Sequence, residues 1–194
     1  MRVARNFLFL LLAGTLSLSR ADAEAADASS TQEAKEAPRF QAGTFQFYVP
    51  AGWRAVRPAS PMRQAQLYAP SLPGTDSTGE PLITVFHFGP GQGGTVEQNV
   101  DRWFGQFDGG NDDKDAATAK ETIGTVPVTF VRARGTFQSG MPGQPVTPLS
   151  HQSLLGAILE SPQGDVYLKM VGPSSATDQA ESAFVQMIRA ACSP

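Results

Sequence analysis

One cysteine, two histidines and few charged residues (17%) set the first limits on this 194-residue chain. A lone thiol excludes an intramolecular disulfide framework, and one Cys with two His excludes a zinc site built from those ligands alone. Neither sign of charge is in large excess: 15 Lys and Arg stand against 18 Asp and Glu, a formal net charge of −3. That balance gives no general electrostatic reason to bind nucleic acid. A membrane span is lacking too, because about a dozen apolar residues near the start are too few to cross roughly 30 Å of hydrocarbon. What remains is 41% apolar and 9% aromatic, with 19 Gly and 15 Pro, the balance of a soluble globular domain.

The beginning reads as an address. Arg2 and Arg5 precede the apolar run Phe7 to Leu12, which continues to Leu18, and Ala21-Asp22-Ala23 supplies small residues around a cleavage point. Basic region, short apolar region and A-x-A site together predict a signal peptide over 1–23 and an exported, periplasmic or extracellular protein. Leu11-Leu12-Ala13-Gly14 resembles the start of a lipoprotein signal, but Thr15 stands where the lipidated Cys belongs, so no lipid anchor is expected. Residues 24–38 contain no large apolar side chain and cannot offset their own ordering entropy, which predicts a disordered tether. Residues 39–194 are then long enough for a single domain with a sizeable core.

Within that domain, Thr44 to Val49 alternates and stops at Pro50, as a half-buried strand does. Gly52-Trp53 turns into a short extended piece, and Arg63 to Ala69 alternates weakly. Leu82 to Phe88 is apolar on both faces and asks for cover on both sides of its sheet. Ile123 and Val126 to Phe137 suggest a hairpin about Gly124. Leu154 to Glu160 and Val166 to Val171 flank the turn residues Ser161 to Asp165.

Two helices are predicted. Thr95 caps the first, with Gln98 completing a capping box. Val96, Val100, Trp103, Phe104 and Phe107 then form one apolar stripe, and Gly109-Gly110 ends it. The second runs from about Thr177 to Ala191, with Ala180, Phe184, Met187, Ile188 and Ala191 facing inward. Strands in the middle with helices apart from them indicate α+β, and the simplest packing is an antiparallel sheet with one helix on each face. Cys192 then closes the second helix as a small packed residue rather than a cross-linking thiol.

Phe45-x-Phe47-x-Val49-Pro50-x-Gly52-Trp53, followed by a central helix, hairpins and a closing helix, resembles the PsbP-like superfamily. That superfamily contains photosystem extrinsic subunits, a Ran-binding import factor and small bacterial envelope proteins. Met62-Arg63, Gly93-Gly94, Asn99-x-x-Arg102-Trp103-x-x-Gln106-Phe107 and Lys169-x-x-Gly172-Pro173 resemble, more closely, an uncharacterised family of exported bacterial proteins. The similarity covers about residues 40 to 190. It implies an α/β/α sandwich and a non-catalytic accessory role, and it brings no active-site residues with it.

The residues that could carry chemistry are few. Gly89-Pro90-Gly91-Gln92-Gly93-Gly94 matches G-x-G-x-x-G between a strand and a helix, yet no parallel βαβ pattern follows and Pro90 removes an amide. It reads as a flexible turn, with a small anion at the amides of Gly94, Thr95 and Val96 as its one functional use. Asn111, Asp113 and Asp115 have calcium-loop spacing, but Ala116 replaces the obligatory Gly and Thr122 the bidentate Glu, so a solvated acidic loop is expected. His87 and His151 lie far apart with no metal-ligand spacing. Ser150-His151 sits in a Pro-rich stretch without a nucleophile elbow, and no cofactor or metal is expected.

Asn99, Arg102 and Gln106 stand at i, i+3 and i+7 beside the apolar stripe of the first helix, with Lys169 on a strand within reach. A solvated helix face is the ordinary reading of such a row. The sharper reading is a patch for a partner or a small anion. The expected function is a non-enzymatic binding or accessory module of the bacterial envelope with a protein partner, contacted through the loops 70–81 and 138–152. An extracytoplasmic protein that binds a small anion or ion at the Gly-rich turn is the alternative, and a hydrolase the third.

Overall fold

Wherever apolar side chains alternate, or crowd both faces, the backbone extends and pairs. The computed structural model describes residues 37–74, 79–108, 115–139 and 147–193. The expected signal peptide, and the tether up to residue 36, lie outside the described residues.

Nine strands and two helices are described: β1 (Arg39–Ala42), β2 (Phe45–Tyr48), β3 (Arg54–Val56), β4 (Arg63–Tyr68), β5 (Leu82–His87), α1 (Val96–Phe104), β6 (Asp115–Ile123), β7 (Val126–Ser139), β8 (Thr147–Leu159), β9 (Val166–Pro173) and α2 (Ser174–Cys192). β1 and β2 form a two-stranded ribbon. The other seven make one antiparallel sheet in the order β3-β4-β5-β9-β8-β7-β6. The expected α+β antiparallel sheet with helices on its faces is what the chain forms.

The central strands explain their own composition. In β8, Leu155, Ala157 and Leu159 face one side while Leu154, Gly156 and Ile158 face the other; in β9, Val166, Leu168 and Met170 oppose Tyr167, Lys169 and Val171. Strands buried on both faces lose the polar–apolar alternation of a half-solvated strand. One face is covered by the β1–β2 ribbon and by α2, through Phe45, Phe47, Phe184, Met187 and Ile188. Cys192 is buried in that layer, packed as a small residue at the helix end. The opposite face is covered by α1, through Val100 and Trp103, with Phe107 beyond it.

α1 starts as expected: Gln98 N–H donates to Thr95 Oγ1 (3.2 Å) and Thr95 N–H to Gln98 Oε1 (3.0 Å), a complete capping box. It ends sooner than the apolar stripe implied, at Phe104 with Gly105 as the cap, not at Gly109-Gly110, which lie outside the described residues. The sheet takes the next residues from the helix. Gln138 N–H donates to Gln106 O (2.7 Å), Asp108 N–H donates to Thr136 O (2.9 Å), and Phe107 bridges to Phe137 with ring centroids 5.4 Å apart. Phe107 is still buried, but from a strand-like segment.

The expected loop 138–152 is also corrected. Thr147 to Gln152 is the first half of β8, paired with the end of β7 across an irregularity at Gly135 and Phe137. Pro148 is tolerated because β9 joins β8 only from Gln152 onward, so the N–H that Pro lacks faces no strand. Residues 140–146 of that loop, and 75–78 of the loop 70–81, lie outside the described residues. So does most of the acidic run: Asp115 is the first residue of β6, and 109–114 are not described.

Candidate functional site

α1 sits off-centre on its face of the sheet. Trp103 lies on Gly156 of β8, where a Cβ would stand 2.3 Å from the indole ring. Apolar residues of β5, β7, β8 and β9 join that layer, but none from β4 does. The polar side of the helix therefore borders the part of the sheet built by β4, β5 and β9. Three cations meet there: Arg102 from α1, Arg63 from β4 and Lys169 from β9.

The local sequence fixes each of them through a neutral amide. Asn99 is 1% exposed; its Nδ2 donates to Gly93 O (2.9 Å) and Thr95 O (2.8 Å), so the Gly-rich turn and the helix cap lock its carboxamide in place. The Oδ1 left over accepts from the Arg102 guanidinium. Lys169 Nζ donates to Gln106 Oε1 (3.0 Å), and Gln106 is held by the backbone pairing of its segment with β7. Arg63 donates to Gln66 Oε1 (2.7 Å); Gln66 is itself buried and also receives Ala59 N–H (3.1 Å). Asn99, Gln66 and Gln106 thus orient three cations without neutralising any. Among the described residues none of the three cations forms an ion pair with a carboxylate, whereas Arg54, Lys120, Arg132, Arg134 and Arg189 all do.

The electrostatic consequence falls on Lys169. Burial, and then the like charges of Arg102 and Arg63, push its ammonium down to about 8. Cross-strand neighbours offer no relief: Lys169 pairs with Thr84 on β5 and Gly156 on β8, neither of them charged. Tyr167, on the same strand and face, donates to Gly94 O (3.3 Å) and is pushed up by burial and by Asp165. A half-buried cation left partly undressed is costly, and such costs gather where a protein binds or reacts.

The structure therefore brings Arg102, Gln106 and Lys169 together as one cluster, with Gln106 beyond the helix rather than on it. Asn99 is not a contact residue but the buried anchor of Arg102. Arg63 and Gln66 were not read as site residues, because nothing in the sequence shows that β4 and β9 flank the same strand. Gly94 and Thr95 are occupied within the turn: Thr95 N–H is bonded to Gln98 Oε1, and a Cβ at Gly94 would meet that same oxygen at 2.9 Å. Gly89, Gly91, Gly93 and Gly94 all have positive φ, so the G-x-G-x-x-G spacing serves a tight turn. His87 Nε2 lies 3.2 Å from Gln163 O and its ring packs where a Cβ on Gly43 would come within 3.0 Å. Ser150 and His151 are exposed in β8, His151 with φ of 56°.

Away from this cluster, a groove of about 360 Å³ lies between α2 and strands β6, β7 and β8. Its apolar lining includes Ala117, Ala119, Phe130 and Val185. Its charges are paired off, Arg132 with Glu181 and Arg189 with Glu121 (2.7 Å).

No protein-family model and no curated protein matches the chain. Among solved structures it is similar to the solution structure of cyanobacterial PsbP (CyanoP) from Synechocystis sp. PCC 6803. The two chains are 13% identical over 78% of this chain and 88% of that one, with a TM-score of 0.47. Nothing about the site is taken from that likeness. Among the described residues no helix is long and apolar enough to cross a membrane.

Proposed function

We propose that the chain is a non-enzymatic binding module, exported to the bacterial envelope, whose recognition element is the cluster Arg63, Arg102 and Lys169. The single observation that carries this reading is that each of the three is held by a neutral side-chain amide and, among the described residues, none by a carboxylate. Cations that are oriented but left uncompensated in a partly buried corner favour an incoming negative group, because desolvation strengthens the attraction. A partner or ligand presenting an acidic group fits the corner. The export half of the proposal rests on the basic, apolar and A-x-A parts of residues 1–23.

The test is cross-linking in cells with the tagged protein, followed by mass spectrometry of what co-purifies, beside the variant Arg102→Ala/Lys169→Ala. A partner recovered with the parent and lost with the variant is the expected result, with a mature chain beginning at Glu24. Equal recovery with both chains overturns the assignment of the recognition element. A mature chain that still begins at Met1 overturns the export.

A further inference from the structure

We infer that the group recognised by Arg63, Arg102 and Lys169 is a phosphate-class dianion, free phosphate or a phosphate monoester, bound together with a proton. The inference rests on the binding-module reading and names the chemistry of its ligand. Three elements deliver the donors separately: α1 brings Arg102, β4 brings Arg63 and β9 brings Lys169. A tetrahedral oxyanion presents several oxygens in different directions, whereas a single carboxylate presents two in one plane. With up to three positive charges and no carboxylate partner among the described residues, the corner also calls for more than one negative charge.

The amide anchors leave donors to spare. One Nζ hydrogen of Lys169 is spent on Gln106 Oε1 and two remain. Arg102 and Arg63 each have five N–H donors, of which the hydrogen bonds to Asn99 and Gln66 take one. The groove at α2 makes the contrast: its arginines end on carboxylates, so an incoming anion would have to break an ion pair there.

The proton follows from the charges around Lys169. Those acting on it are Arg102 from α1 and Arg63 from β4, while Thr84, Gly156 and Gln106 face it without charge. The empty corner therefore favours the neutral amine as pH rises past about 8, and a bound dianion reverses that preference. Binding takes up a proton on Lys169 wherever the free protein has lost it, and affinity falls as pH rises above that point.

The experiment is titration calorimetry of the purified chain at pH 8.5, in two buffers of different ionisation enthalpy. The probes are inorganic phosphate, glycerol 3-phosphate and, as a dianion whose charges sit on two separate carboxylates, succinate. One or both phosphates should bind, with an uptake of between about half and one proton per anion, given a free amine near pH 8. Phosphate alone would mark the free ion as the ligand chemistry, and glycerol 3-phosphate alone the monoester. Succinate should bind at least tenfold more weakly. Arg102→Gln and Arg63→Gln should each weaken phosphate by about tenfold or more, the scale of one lost charge-assisted contact. Lys169→Met should abolish the proton uptake, with thermal melts showing that each variant is folded. Succinate binding as tightly as phosphate, or phosphate binding without proton uptake, overturns this inference. If no probe binds while the cellular partner still depends on Arg102 and Lys169, the inference falls and the binding-module reading stands. Loss of both results ends both.

Discussion

Lys169 is the residue where this chain departs most from what stability alone would choose. Its folded-state value of about 8 lies below the ordinary lysine value near 10.5. A lysine so depressed costs the fold stability while it is charged, and the cost disappears as pH rises from about 8 towards 10.5, where the folded protein has lost the proton and the unfolded chain still holds it. A tenfold displacement of a protonation equilibrium is worth about 1.4 kcal/mol, so the cost near neutrality is on the order of 3 kcal/mol. Lys169→Met, similar in length and uncharged, should therefore be more stable than the parent at pH 7 by roughly 2–3 kcal/mol, with the difference shrinking at pH 10. Denaturant melts of the two proteins at both pH values measure it. A parent that is the more stable at pH 7 would show that the lysine is not under the strain described.

That much of the site was legible because Asn99, Arg102 and Lys169 are polar where the pattern around them is apolar. Arg63 was legible only as half of a short motif. Its place depends on β5 lying between β4 and β9, and on the register shift between Arg63 and Ala65, neither of which a local pattern can encode. Gln66 looked like the polar half of an alternating strand. Its burial follows from bonds to Ala59 and Arg63 that only the fold creates.

The docking of α1 turns on one contact between a helix and a strand. A Cβ at Gly156 would stand 2.3 Å from Trp103, closer than atoms approach, and the atom it meets belongs to a rigid ring. Gly156→Ala should cost about 1–3 kcal/mol, as overpacked cores do. Trp103→Phe introduced into the same chain should restore part of the loss. Urea melts of the single and double variants, read as a cycle, check this, and an additive pair would mean that the two residues do not meet. Several elements were read correctly from the sequence: β5 by its two apolar faces, the inner half of β8 by the turn residues that follow it, and the start of α1 by its capping box. The hairpin about Gly124 was legible, but β6 only at its Ile123 end, because Ala117, Thr118, Ala119 and Lys120 are all exposed and give its outer length no burial signal. The outer half of β8 was hidden by Pro148, Ser150 and His151, turn-like in composition but paired to β7 across its irregular end.

For the molecule as a whole, the two layers on either side of the sheet are closed around different chemistry. The α2 layer is apolar to its end, and Cys192, 7% exposed within it, is pushed up to about 11 by burial and by Glu121. Near neutral pH such a thiol holds roughly 300-fold less thiolate than a free cysteine of pKa about 8.5. A thiol reagent should therefore label the native protein only as fast as this layer opens, and label it at once in denaturant. Burst labelling without denaturant would show that α2 is not packed as described. The α1 layer, in contrast, gives way on one side to a polar corner, and the binding proposal lies there.

The two borders of the sheet are unequal. β3, at one end, has three residues, and its Arg54 is held by Glu80 (2.6 Å) and lies over the Tyr68 ring. β6, at the other, has nine residues, all but Ile123 exposed or half-buried, without proline and without a bulge in its pairing to β7. Long open borders are where sheets recruit one another. Pairing of two copies through β6 would be a symmetric contact that consumes the long border of both and leaves only the short ones outside. Among the described strands, polymerisation by strand addition thus has a stop built into the topology: they permit a pair and offer no second long border from which a filament could grow.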